Sequence, residues 1–211
     1  MKVEEIILKE TPLPSDWDKT AFSSKTSFAK MVAYAKERAK QVGRGSSRVA
    51  FKIDYQGRPT VLKVALNNKG ITQNQEETQL LDDWVVEQIG ITIPMIDHDE
   101  ENGDRITWIH TEFAEKISQK QLERFFGYDL STITRYLDHQ FGLDKISSPP
   151  TLPDEVHNNE YFNKLQELVG NFAIPAADFS RKANWGLYKG KPVIIDLGFT
   201  QRTSKLYRES K

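Results

Sequence analysis

Asp178-Phe-Ser-Arg-Lys-Ala-Asn184-Trp-Gly-Leu-Tyr-Lys-Gly-Lys-Pro-Val-Ile-Ile-Asp196-Leu-Gly198 sets an Asp, an Asn and an Asp-x-Gly turn along a loop, a short hairpin and a second loop. Val193, Ile194 and Ile195 make a continuous apolar run, the pattern of a buried strand, and that run delivers Asp196 to a turn opened by Gly198. A carboxylate at the end of a buried strand is costly unless something pairs with it, and Mg²⁺ is a natural partner. Asn184 lies twelve residues before Asp196, and a hairpin turning at Lys189-Gly190 folds it back toward that carboxylate. Two oxygen ligands then share one cation. Trp185, Leu187 and Tyr188 fit the first strand of the hairpin.

Upstream, the pattern changes from strands to helices. An antiparallel hairpin is expected from strands over 48–55 and 60–65, joined at Gln56-Gly57-Arg58-Pro59. Before it, Phe28, Met31, Val32 and Ala35 recur at helical spacing, which predicts a helix over 27–42 stopped by Gly43. Residues 1–24 combine a short apolar strand (Val3, Ile6, Ile7, Leu8) with a Pro- and Ser-containing connection and read as an appended arm. A helix is expected over 76–88 through Leu80, Leu81, Trp84 and Val85, followed by strands over 93–98 and 105–113. Ser118 with Gln121 forms the pattern of a capping box for a helix ending before Gly127. Further helices are expected over 130–140 and 158–172, with the Pro-Pro stretch of 147–153 as a loop between them. Strands and helices segregated in this way indicate an α+β architecture.

Composition excludes several classes. At 211 residues, with 38% hydrophobic and 28% charged residues, the chain is sized for one sizeable core or two small lobes around a cleft. No apolar run approaches the ~20 residues of a membrane span, and the acidic Met-Lys-Val-Glu-Glu start is unlike a signal peptide. A cytoplasmic protein is expected. With no cysteine there are no disulfides, thiolate chemistry or Cys-based zinc sites. A net charge of −1 gives no global field for nucleic acid, so nucleic-acid binding is not expected. Two local basic patches remain. Lys36, Arg38, Lys40, Arg44, Arg48 and Lys52 face one acid, Glu37, and the tail carries Arg202, Lys205, Arg208 and Lys211. They read as a solvated helix face and a terminus, with a phosphate-facing surface as the sharper reading of the first. His98, His110, His139 and His157 show no metal-ligand spacing, and no Gly-x-Ser-x-Gly pattern suggests a serine hydrolase. Trp84, Trp108 and Trp185 fall on apolar faces and are expected in the core.

Chemistry also gathers in the first half. Glycines such as Gly43 and Gly45 let backbone N–H groups approach phosphate oxygens, and Lys63, in Val61-Leu-Lys63-Val-Ala65, supplies a fixed positive charge from a rigid strand. A lysine with apolar neighbours wants a carboxylate, which Glu76 or Glu77 at the head of the next helix can provide.

In this order, the motifs resemble the protein-kinase-like superfamily over about residues 42–200. The resemblance implies a minimal bilobal α+β fold: an arm and helix over 1–41, an antiparallel-sheet N-lobe over 42–113, and a reduced helical C-lobe over 114–211. It implies a phosphate loop at Gly43, Gly45, Ser46 and Ser47, an ATP-contacting Lys63, and Glu77 as its partner. Trp108-Ile-His-Thr-Glu112-Phe-Ala114-Glu115 is similar to the hinge, whose backbone at Glu112 and Ala114 would meet adenine. Asp178 resembles the catalytic-loop aspartate, Asn184 the metal-binding asparagine, and Asp196-Leu-Gly198 the metal-binding Asp-Phe-Gly turn. Gly45-Ser-Ser-Arg48, Lys69-Gly-Ile-Thr-Gln-Asn74 and Asn184-Trp-Gly186 are similar, more narrowly, to small kinase-fold proteins of tailed bacteriophages.

The departures are specific. Arg48 stands near where a third glycine is usual, and Asp178 precedes Asn184 by one residue more than in the H-R-D-x-x-x-x-N pattern. No His-Arg precedes Asp178, and the thirteen residues after Gly198 leave no room for an activation segment. Two functions are therefore expected to compete. One is an ATP- and Mg²⁺- or Mn²⁺-dependent phosphotransferase with a protein or small-molecule acceptor. The other is an inactive kinase-fold protein, a pseudokinase, that engages a host or virion protein of a bacteriophage.

Overall fold

The structure, a computed structural model, describes residues 13–143 and 148–198. The apolar strand expected at Val3–Leu8 and the tail cations Arg202, Lys205, Arg208 and Lys211 lie outside the described residues. The first half is a five-stranded antiparallel sheet in the order β1-β2-β3-β5-β4. Its strands are β1 (Lys40–Arg44), β2 (Arg48–Tyr55), β3 (Arg58–Ala65), β4 (Met95–His98) and β5 (Trp108–Glu112). The β2–β3 hairpin pairs Arg48 with Ala65 through to Tyr55 with Arg58, and Gln56 and Gly57 turn it with positive φ of 53° and 74°. That is the two-residue loop whose twist matches the flanking strands. Pro59 is tolerated inside the strand, opposite Asp54.

Alternation along the strands gives the sheet two different faces. Val49, Phe51, Ile53, Leu62, Val64 and Trp108 pack on the outer face against Met31 and Ala35 of α1 (Phe28–Arg38) and against Leu13, Trp17 and Phe22. Arg48, Ala50, Lys63 and Ala65 are in register on the opposite face. Residues 13–24 are thus not an appended arm as expected. Leu13 and Phe22 are buried in the same cluster as the sheet. Asn102 ties the segment down by donating to the Phe22 carbonyl at 3.0 Å and accepting from the Ser24 N–H at 2.6 Å. The connection between β4 and β5 is itself held by the buried Asp99, which accepts from the Thr107 N–H at 2.9 Å.

The helix expected to run to Val42 ends instead at Arg38, and Gly43 belongs to β1, where the register shifts. The first basic patch is accordingly not one helix face. Lys36 and Arg38 lie on α1, Lys40 and Arg44 on β1, and Arg48 and Lys52 on β2. The helix expected over 76–88 is two helices, α2 (Asn68–Leu81) and α3 (Trp84–Ile89). Asp83 interrupts them, its carboxylate capping α3 by accepting from the Val85 N–H at 2.8 Å. The break turns Trp84 outward, 66% exposed, against the expectation that it is core, whereas Trp108 and Trp185 are buried.

Beyond β5 a short strand β6 (Glu115–Lys116) leads into helices α4 (Gln119–Phe126), α5 (Leu130–Gln140), α6 (Asp154–His157) and α7 (Glu160–Phe172). The capping box forms at Ser118 and Gln121, and Gly127 ends α4 in the left-handed region. Leu122, Phe126, Ile133, Leu137, Phe162 and Leu168 fill a second core, to which Val86 and Ile89 of α3 also contribute. The last hairpin, β7 (Trp185–Tyr188) and β8 (Lys191–Ile194), turns at Lys189 and Gly190 and joins β6 in a three-stranded antiparallel sheet. The architecture is α+β: an antiparallel sheet followed by a helical portion, in the order that the kinase-like resemblance implies. The two portions meet where the Ile194 N–H donates to Ile91 O at 2.8 Å and Ile194 O accepts from Ile93 N–H at 2.9 Å. No described helix is long and apolar enough to cross a membrane.

Candidate functional site

β3 delivers Lys63 to the inner face, and α2 sets Glu77 beneath it. Lys63 Nζ donates to Glu77 Oε1 at 2.5 Å and to the Ile195 carbonyl at 2.6 Å. Glu77, not Glu76, is therefore the lysine's partner, and it is completely buried. Such a carboxylate is tolerated only when its oxygens are paired. Its other oxygen, Oε2, accepts from Arg48 Nη1, which lies within hydrogen-bonding distance of Asn74 Oδ1 at 3.2 Å as well. Arg48 Nη2 donates to Asp196 Oδ1. One guanidinium thereby bridges an acid of α2 and an acid just past the end of the last hairpin. Two cations and two carboxylates thus form one cluster of balanced formal charge.

The loop before β2 is strapped to the head of α2. Ser47 Oγ donates to Gln73 Oε1, the Ser47 carbonyl accepts from Leu66 N–H at 2.7 Å, and Asn67 Nδ2 donates to Ser46 O at 3.0 Å. A Cβ on Gly70 would overlap the Ser47 carbonyl oxygen, so the close approach needs glycine there. Gly45 N–H donates to Arg48 O at 2.9 Å, and Gly43 lies in β1. Several polar groups of the expected phosphate loop are thus engaged within the chain. Glu112 N–H similarly donates to Pro94 O at 3.0 Å, while its carboxylate pairs with Arg58. Ala114 lies in the link between β5 and β6 and packs against Gly186, where a Cβ would clash with it.

On the other side, two short 3₁₀ turns at Ala176–Ser180 and Lys182–Asn184 carry Asp178 and Asn184. Asn184 Nδ2 donates to the Asp178 carbonyl at 2.9 Å and to Asp178 Oδ2 at 2.8 Å, so the two side chains are brought together. Arg181 Nη1 stands 3.6 Å from Asp178 Oδ1. Trp185 Nε1 donates to Phe179 O at 2.7 Å and pins the turn to the helical core. A residue that the sequence reading missed completes the arrangement. Asp138, buried on α5, accepts from the Ala176 N–H at 2.6 Å and the Ala177 N–H at 3.0 Å, directly before Asp178. The available signal was a carboxylate one residue after Leu137 and four after Thr134, on the buried face of a helix.

The two aspartates have opposite electrostatics. Burial raises the Asp178 carboxyl, the negative charge of Asp196 raises it further, and Arg181 and Asn184 offset this only in part. At Asp196 burial also pushes upward. The charges of Arg48 and Lys63, with the Gly198 N–H and the Arg48 hydrogen bond, outweigh that and hold the carboxyl below its usual range. Protein crowds the group, yet 46% of its side-chain surface stays exposed.

The donor chemistry of Asn184 and Asp196 fits a hard divalent cation. The Asn184 amide nitrogen is occupied by Asp178, leaving its oxygen, and Asp196 Oδ1 is the atom held by Arg48. Such an ion would take the rest of its shell from water or phosphate. Among the described residues there is no group of three or more His, Cys, Asp or Glu side chains placed to bind a metal by themselves.

No family model matches the chain, and no curated protein matches it. Among solved structures it is similar to the aminoglycoside phosphotransferase APH(4)-Ia, at 17% identity and a TM-score of 0.31 over 56% of this chain and 40% of that one. A thermostable mutant of that protein in its apo form gives 19% identity and a TM-score of 0.30 over 50% of this chain and 35% of that one. Another thermostable mutant, in ternary complex with AMP-PNP and hygromycin B, gives 19% identity and a TM-score of 0.30 over 50% and 34%. The chain spans well under half the length of these structures. The overlaps are partial.

Proposed function

We propose that the cleft binds a nucleoside triphosphate and serves phosphoryl transfer to an acceptor hydroxyl, between the sheet portion within 42–113 and the helical portion within 114–211. The observation that carries this reading is the Lys63–Glu77 pair at 2.5 Å, fastened by the Ile195 carbonyl immediately before Asp196. It fixes a cation on a rigid strand beside an oxygen ligand at a strand end, which is the arrangement a polyphosphate requires. Lys63 orients phosphate oxygens, Glu77 holds Lys63, and Gly43, Gly45, Ser46 and Ser47 lie along the phosphates. Glu112 and Ala114 border the base. A divalent cation held by Asn184 and Asp196 would neutralise phosphate charge. Asp178 faces the acceptor, where a raised carboxyl is closer to the pKa useful for proton transfer. Positioning and charge neutralisation supply most of such catalysis.

The test is incubation with γ-labelled ATP, Mg²⁺ or Mn²⁺ and candidate acceptors. Transfer that Asp196→Ala and Lys63→Met abolish supports the reading, and transfer indifferent to both contradicts it.

A second reading is a kinase-fold binding protein without turnover, in a bacteriophage setting with a host or virion protein as partner. One observation favours it: Arg48 already compensates Asp196, so the cluster is electrically satisfied without nucleotide or metal. Nucleotide-independent capture of a partner, unchanged by Lys63→Met, supports this alternative.

A further inference from the structure

Arg48 departs from the resemblance in sequence, and its placement gives the departure a physical consequence. The residue opens β2, with its backbone in register with Ala65 and its side chain buried. Its Nη1 is engaged by Glu77 and lies near Asn74, and its Nη2 is engaged by Asp196. A Cβ on Gly198 would come within 3.0 Å of Nη2, so the guanidinium is seated in the Asp196-Leu197-Gly198 turn itself. Charges balance without any additional ion: Arg48 and Lys63 against Glu77 and Asp196, with Arg181 near Asp178.

We propose that Arg48 is a built-in counter-ion of Asp196, which takes over the charge compensation that a divalent cation would provide and lowers the affinity of the free cleft for such a cation. The proposal rests on the nucleotide reading only for what the cleft is used for; the competition at Asp196 stands on the ion pairs. A cation approaching Asp196 meets a fixed positive charge on the same carboxylate, and at this half-exposed group solvent and salt screen the repulsion only in part. To take both carboxylate oxygens it must displace Nη2 from Oδ1, and displacement is resisted because Nη1 is anchored to Glu77. Arginine suits this place because its planar fork serves two carboxylates at once, which a lysine point charge cannot.

The experiment is Mn²⁺ binding followed by electron paramagnetic resonance on the full chain without nucleotide, for wild type, Arg48→Gln, Asp196→Asn and the double variant. The expected result is weak binding by wild type, binding at least tenfold tighter by Arg48→Gln, and loss of that gain when Asp196→Asn is added. Equal weak affinity in wild type and Arg48→Gln overturns the proposal. So does tight wild-type binding that Asp196→Asn removes, which needs no Arg48 variant. Should Arg48→Gln fail to fold, Arg48→Lys keeps a charge for Glu77 and is expected to show a smaller gain; no gain counts against the proposal. No nucleotide enters the measurement, so failure of the nucleotide reading would appear elsewhere, as absence of an ATP-induced stabilisation.

Discussion

Lys63 Nζ lies 2.5 Å from Oε1 of Glu77, and that carboxylate has no exposed surface. Its second oxygen is held by Arg48. Removing the acid leaves two buried cations sharing only the remaining acceptors, so Glu77→Ala is expected to destabilise the protein by about 3–5 kcal/mol. Lys63→Met is expected to cost less, because Arg48 still compensates Glu77. Urea denaturation of the three proteins checks the order.

Asp138 predicts a local effect at a distance from the charge cluster. Its two oxygens receive the N–H groups of Ala176 and Ala177, which hold the turn that presents Asp178. Asp138→Ala leaves the buried Ala176 N–H without its acceptor, a loss of about 1–3 kcal/mol, whereas the more exposed Ala177 N–H can turn to water. Amide hydrogen exchange at Ala176 and Ala177 is expected to accelerate by roughly tenfold or more. Protection within β2 and β3 is expected to change far less.

The two aspartates should give pH dependences of opposite sign. Asp178, raised by burial and then by Asp196, contributes stability that is full below the usual carboxylate range and is lost as pH rises through its folded value. Asp178→Asn is therefore expected to be at least as stable as wild type at neutral pH, with the difference fading in acid, while removing any phosphoryl transfer. Asp196 contributes stability above the usual carboxylate range that is lost as pH falls through its lowered value. Melting temperatures of wild type and the Asn variants across pH 3–8, a span set by ordinary carboxylate values of about 4, test both signs.

Phe22 predicts that the amino-terminal segment is integral to the fold. It is 1% exposed among the outer-face side chains, stacked on Trp17 and edge-on to Tyr34. Phe22→Ala is expected to cost about 3–5 kcal/mol. Trp84→Ser, at an exposed site, is expected to stay within about 0.5 kcal/mol of wild type. Parallel denaturation curves separate the two.

Local chemistry made much of the molecule legible in the sequence. Gln56-Gly57 and Lys189-Gly190 mark hairpin turns because few residue pairs accept two positive φ values, and Ser118 with Gln121 marks a helix start through its own hydrogen bonds. Lys63 between apolar neighbours announced a buried cation in need of an acid. What stayed hidden depends on tertiary pairing. β1 has a solvent-facing Lys-Gln-Val-Gly-Arg sequence with no alternation, and its ladder to β2 defines it as a strand. The break between α2 and α3 arises from Asp83 capping where the apolar pattern runs on. Arg48 read as a missing glycine, since its partners lie 29 and 148 positions away. Nothing local could have announced them.

The most direct test of the nucleotide site is the melting temperature of wild type and Lys63→Met with increasing ATP, in the presence and absence of Mg²⁺. At ATP near one hundred times Kd, linkage gives about 2.7 kcal/mol, equivalent to a rise of roughly 5–10 °C for a chain of this size. The account predicts such a rise in wild type and its loss in Lys63→Met. No rise at millimolar ATP, with or without metal, or an equal rise in both proteins, would contradict it.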